Sequence, residues 1–122
     1  MSTDDPRILE LRQRRAQAME GGGAERIKRQ HARGKQTVRE RLALLFDPHT
    51  FQELGMMTTA RSASAEDRFA GDGVVAGFGL VDGRTVYAYA QDATIFGGAL
   101  GEMHGRKICQ VMDLAVESGA PL

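Results

Sequence analysis

The stretch TIFGGALGE, Thr94 to Glu102, sets Gly97, Gly98, Ala99 and Gly101 between an extended segment and a helix start. Glycines there leave backbone N–H groups open at the helix start, an arrangement that can hold a phosphate or an oxyanion. The structural alternative is close packing of turn against sheet. The stretch lacks the Lys-Ser/Thr ending of a P-loop and the G-x-G-x-x-G fingerprint. A second candidate is cationic: Arg26, Lys28, Arg29, Arg33 and Lys35 suit a phosphorylated ligand such as a nucleotide diphosphate, or else a solvated or subunit-facing surface. His31 and His104 are acids or bases by type. Neither has a Ser, Cys or Asp at relay spacing, so both read as structural, and His49 after Pro48 reads as a turn residue. Cys109 is the single cysteine and falls on the expected buried side of a helix. Reactive thiols need an open, electropositive setting, so an inert packing role is expected for it.

The elements that would position these groups fit a chain of 122 residues, about one domain by size. Glycine, with 15 residues, is in excess and concentrates between Gly71 and Gly105. Net charge is zero but divided, +5 over residues 1–46 and −5 over residues 47–122. That asymmetry suits either nucleic acid or docking on an acidic protein surface. Docking is favoured, because the basic half has no aromatics interleaved for base stacking. One cysteine excludes an internal disulfide and a multi-cysteine zinc site. No apolar run is long enough for a membrane helix, and the polar start MSTDDPRILE does not read as a secretory signal, so a cytoplasmic protein is expected.

Asp4 or Asp5 with Pro6 predicts a helix start, and Gly21 to Gly23 its end. A second helix is expected from Ala24 to about His31, with Ile27 its only large apolar residue. Thr37 and Glu40 form an S/T-x-x-E capping box ahead of Val38, Leu42, Leu45 and Phe46 on one face, and Asp47-Pro48 ends the helix. A short extended piece is expected near Gln52 to Met57, and RSASAED reads as an exposed loop. Asp82-Gly83 is a hairpin turn by composition, pairing Val81 with Arg84, Gly79 with Val86 and Gly77 with Ala88. One face of that ribbon carries Val74, Phe78, Leu80, Tyr87 and Tyr89. The other carries Val75, Gly77, Gly79, Val86, Ala88 and Ala90. A helix should run from about Glu102 to Ser118, burying Ile108, Val111, Met112, Ala115 and Val116, with Gly119 and Pro121 ending it. Both ribbon faces need cover that so few elements are not expected to supply, so the chain reads as the front of a longer protein.

Two stretches, GGGAERIKRQHARGKQTVRERLALLFDPHTF and AGDGVVAGFGLVDGRTVYAYAQDATIFGGALGEMHGRKICQVMDLAVESGAP, carry four ordered motifs: GGG-x-x-RI-x-x-QH-x-x-GK, RERL-x-LL-D, GDGVV-x-G and QD-x-T-x-x-GG-x-LGE-x-H-x-x-KI. Together they resemble the carboxyltransferase (beta) subunit of biotin-dependent acyl-CoA carboxylases, propionyl-CoA carboxylase type, over nearly all of Gly21 to Pro121. The resemblance implies an α/β fold of the crotonase-like kind, a superhelix of ββα units, incomplete here and preceded by a helical segment. It implies three parts: a basic helical preamble over residues 1–48, a connection over 49–72, and a first hairpin and helix over 73–122. It implies acyl-CoA and carboxybiotin on a carrier protein as ligands, no metal at the chemical centre, and a biotin carboxylase and carrier subunit with further copies of the subunit as partners. No nucleic acid or membrane is implied. The family's oxyanion-hole turns match nothing in these residues, so no catalytic residue is assigned and the chain alone is expected to be inactive. Gly97, Gly98 and Gly101 match a turn on the acyl-CoA side. Residues 58–70 depart from the usual loop, and the four-cysteine zinc ribbon of the bacterial acetyl-CoA carboxylase branch is absent. A sodium-pumping acyl-CoA decarboxylase subunit and a non-enzymatic basic module that binds nucleic acid are the alternatives.

Overall fold

The computed structural model describes residues 5–57, 73–95 and 102–122. The RSASAED segment and the turn holding Gly97, Gly98 and Gly101 lie outside them. Three short helices open the chain: α1 (Pro6–Met19), α2 (Ala24–Ala32) and α3 (Val38–Leu45). Strand β1 (Gln52–Leu54) follows, then the hairpin β2 (Val74–Val81) and β3 (Arg84–Gln91), then α4 (Glu102–Ser118). The Asp5 carboxylate accepts the Arg7 N–H and Pro6 sits in the first turn, so α1 starts where proline's fixed φ favours it. The Thr37 hydroxyl accepts the Glu40 N–H and so caps α3. The Glu40 carboxylate also binds the Thr37 hydroxyl, 3.0 Å away, and His31.

The three strands form one antiparallel sheet in the order β1-β2-β3. The hairpin keeps the expected register, Val81 with Arg84, Gly79 with Val86 and Gly77 with Ala88. The turn explains it: Asp82 and Gly83 both have positive φ, 50° and 79°, as a type I′ turn requires. Asp47, expected only to end a helix, also clasps this turn. Its two carboxylate oxygens accept the Asp82 and Gly83 N–H groups at 3.0 and 2.9 Å.

The core lies on the small-residue face of the sheet, where Val38, Leu42 and Phe46 of the α3 region pack on Val75 with Phe51, Val86, Ala88 and Ala90 around them. Gly79 permits this approach, since a Cβ there would sit 2.7 Å from Phe46 Cδ1. The Phe46 and Phe51 rings are 5.0 Å apart between centroids. The opposite face takes α4, through buried Val111 and Ala115, and the Tyr87 hydroxyl lies 3.0 Å from Ser118 Oγ.

The chain thus supplies a helix to each ribbon face, where outside layers were expected. Cover is complete over most of β2 but only partial over β3, whose Tyr89 stays exposed. The buried stripe of α4 also differs from expectation. It runs through His104, Lys107, Val111 and Ala115, while Met112 and Val116 face outward and Ile108 is half-buried. Positions 104, 107, 111 and 115 recur every three to four residues, so the spacing is helical but half the stripe is polar. Cys109, expected to be buried, is exposed for the same reason: it stands two positions from Lys107 on another side of the helix. Leu45 of α3 is likewise turned out.

Candidate functional site

Helix α2 buries none of its residues, and its register puts Arg26, Arg29 and Arg33 three and four positions apart on one side. These three arginines line a cleft of about 250 Å³ with Gln30, and Ala93 and Thr94 form its other wall. Gln30 and Ala93 also line a second cleft of about 510 Å³, with Lys35, Gln36, Arg41 and the Tyr89-Ala90-Gln91 end of β3. The two clefts are therefore contiguous. Lys28 lies on the exposed surface and lines neither.

Local bonds fix this arrangement at both ends of α2. At its start the Gly22 N–H donates to Thr94 Oγ1 at 3.0 Å, and Arg26 Nη1 donates to the Thr94 carbonyl at 3.3 Å. Buried Asp92 holds that threonine, accepting its backbone N–H at 2.9 Å and its hydroxyl on the same carboxylate oxygen. At the other end the Lys35 N–H donates to the Gln30 carbonyl, and Gln30 Nε2 donates to the Gln36 carbonyl at 3.3 Å. His31 Nε2 lies 2.6 Å from Glu40 Oε1, tying α2 to the first turn of α3. This contact holds the Glu40 carboxyl below its ordinary pKa, and the Thr37 hydroxyl and N–H act in the same direction. Arg41 Nη2 donates to the Gln91 carbonyl at 3.2 Å, and both residues line the second cleft.

The cationic residues named from the sequence divide accordingly. Arg26, Arg29 and Arg33 converge, Lys35 stands beyond Gln30 in the adjoining cleft, and Lys28 is left out. Among the described residues, no carboxylate lies within ion-pair distance of Arg29, Arg33 or Lys35. Gln30, Gln36, Arg41 and Tyr89 were not anticipated. The helical spacing of Gln30 relative to Arg26 and Arg33 could have indicated the first of them. Tyr89 needed the observed sheet, because its exposure follows from the partial cover of β3.

The histidine candidates line neither cleft. His104 is fully buried, with Nε2 3.4 Å from Gln91 Nε2 and Nδ1 without a partner among the described residues. His49 occupies a turn with φ of 61°, as expected. No group of three or more His, Cys, Asp or Glu residues among those described is arranged to hold a metal ion. No described helix is long and apolar enough to cross a membrane.

A cleft walled by cations with a half-open tyrosine has the chemistry to accept a phosphorylated, aromatic ligand. The propionyl-CoA carboxylase beta chain of Cereibacter sphaeroides is 50% identical over 118 residues, covering 94% of this chain and 23% of its own length. Methylmalonyl-CoA decarboxylase subunit alpha of Propionigenium modestum is 46% identical over 125 residues, covering all of this chain and 24% of its own length. The transcarboxylase 12S structure, a hexamer with methylmalonyl-CoA bound, superposes with a TM-score of 0.86 at 40% identity, over 98% of this chain and 24% of that one. The chain spans about a quarter of the length of the curated relatives it matches. Its α/β fold is the crotonase-like carboxyltransferase fold, in that part. The family model described as the carboxyl transferase domain matches residues 29–122, and the chain belongs to that family of enzymes.

Proposed function

We propose that this chain is the front part of the carboxyltransferase subunit of an acyl-CoA carboxylase, moving a carboxyl group from carboxybiotin to a small acyl-CoA such as propionyl-CoA. The observation that carries this is the half-identity to a propionyl-CoA carboxylase beta chain across 94% of the sequence. In such a transfer the α-carbon of the acyl group loses a proton, and the enolate formed attacks the carboxyl carbon. Biotin leaves through its ureido nitrogen, which takes up the proton given by the α-carbon, so the step balances without an oxidant. Backbone N–H groups aimed at the enolate oxygen stabilise the charge as it develops. Gly97, Gly98 and Gly101 would contact the acyl-CoA side in this reading, and the remaining machinery would lie in sequence outside these 122 residues. The three-part organisation at residues 1–48, 49–72 and 73–122 belongs to the same proposal, as do a biotin carboxylase and carrier partner and assembly with further copies.

The methylmalonyl-CoA decarboxylase relative, at 46% identity over the whole chain, favours a second reading in which the transfer runs the other way. One assay separates them. The full-length protein is supplied with a biotin carboxylase and carrier, ATP and labelled bicarbonate. Label should enter propionyl-CoA, and residues 1–122 alone should give none. Label in no short acyl-CoA, together with carboxyl transfer from methylmalonyl-CoA to biotin, would favour the decarboxylase. Absence of both reactions would sink either reading.

A further inference from the structure

We infer that Asp92 and Thr94 are positioning residues: locked onto Gly21 and Gly22, they fix where the chain leaves β3 for the glycines proposed to face the acyl-CoA. This inference rests on the acyl-CoA reading above and adds the residues through which those glycines are held. Asp92 follows β3, is buried, and donates its N–H to the Gly73 carbonyl at 2.8 Å, which ties its backbone to the start of β2. One oxygen of its carboxylate accepts both the N–H and the hydroxyl of Thr94. A hydroxyl that gives its proton to a carboxylate keeps lone pairs for a donor, and the Gly22 N–H is that donor at 3.0 Å. Arg26 Nη1 holds the Thr94 carbonyl at 3.3 Å. Each polar atom of Thr94 is therefore bonded, three positions before Gly97 in the sequence. The contact also demands small partners. A Cβ at Gly22 would lie 1.9 Å from the Thr94 carbonyl oxygen, and one at Gly21 would lie 2.7 Å from Asp92 Oδ2. Close packing alone would need those glycines but not a buried hydroxyl bonded on both sides. The run from Gly22 N–H through the hydroxyl to the carboxylate fixes direction as well as distance. No oxyanion-hole turn is matched in these residues, so a shift of this loop should reach substrate binding before chemistry.

The test uses the full-length protein with a biotin carboxylase and carrier, and steady-state kinetics with propionyl-CoA. Thr94→Val keeps the shape and removes the hydroxyl. It should raise KM for propionyl-CoA about tenfold, as a small displacement of binding groups does, and change kcat less than about twofold. KM for the carboxylated carrier should hold. Thr94→Ser returns the hydroxyl and should return KM to the wild-type value. Gly22→Ala pushes on the same carbonyl from the other side and should reproduce the rise in KM, which covers the case of a valine variant that fails to fold. A merely structural role would lower the melting temperature and the active fraction, and so kcat, with KM unmoved. That result would overturn the inference, as would a serine variant no better than the valine one. Unchanged kinetics in both Thr94→Val and Gly22→Ala would also overturn it, and so would misfolding of both, which would assign the lock to stability alone. The two readings fail distinguishably. Wild-type transfer to propionyl-CoA with KM unmoved in the variants leaves the proposed function and removes the positioning role. Absence of transfer in the wild type removes both.

Discussion

The ammonium of Lys107 ends 3.0 Å from the Val74 carbonyl oxygen, inside the layer between α4 and β2. Burying a charge is unfavourable unless it is bonded, and here one partner is a backbone group that no substitution removes. Lys107→Met keeps the volume but withdraws the donor from that carbonyl. Two effects compete: relief of the ammonium's desolvation and the loss of a charged hydrogen bond. The bond should win, because the carbonyl stays in place. The variant should lose about 1–2 kcal/mol of stability, read from its urea midpoint. A midpoint at or above wild type would mean that desolvation dominates. This residue also marks where sequence reading stopped. The periodicity of α4 is visible in the sequence, but apolar type does not mark which side is buried. His104 and Lys107 hold two of the four buried places, so Met112, Val116 and Cys109 stand exposed instead. Chemical type cannot reveal a lysine bonded to a neighbouring strand; only the docked sheet shows it.

Between elements, the most consequential link is Asp47. It leaves α3, donates its N–H to the Leu80 carbonyl at 2.7 Å, and accepts both central N–H groups of the β2–β3 turn. The helix end is thereby locked to the hairpin end, and Phe46 beside it is set onto Gly79. The hairpin register was legible because positive φ at Asp82-Gly83 leaves one pairing, and a one-residue slip would turn Val75 and Val86 to the wrong face. The clasp was not legible, since Asp47-Pro48 has a sufficient local role as a helix stop. Asp47→Ala should cost about 1–2 kcal/mol, and Asp47→Asn, which keeps one acceptor, should cost less. Thermal unfolding of the two variants checks the order. Equal, negligible shifts would show water replacing the carboxylate at no loss. The cleft follows the same logic at this scale. Three arginines on one helix side could be read from spacing, whereas Tyr89 and Arg41 joined them only through the fold.

Across the whole molecule, stability is graded along the sequence. Strand β2 lies between β1 and β3, with α3 on one face and α4 on the other, and seven of its eight residues are buried or half-buried while Leu80 alone is exposed. Helix α1 is the opposite case: Ala18 is its only buried residue, and Leu9, Leu11 and Met19 face outward. Its ties to the rest pass through its last turn, where Arg39 reaches the Ala18 carbonyl while pairing with Glu53 at 2.6 Å. A helix of 14 residues with so little packing is marginal in water. Hydrogen exchange of the 122-residue chain should therefore be slowest over Val75–Gly79 and fastest over the first three turns of α1, with orders of magnitude between them. The full-length protein supplies the decisive contrast. If subunit contact is what the exposed leucines serve, α1 amides should slow there while those of β2 change little. Equal, fast α1 exchange in both proteins would leave the helix without a partner and count against the protein-docking role expected of the basic half.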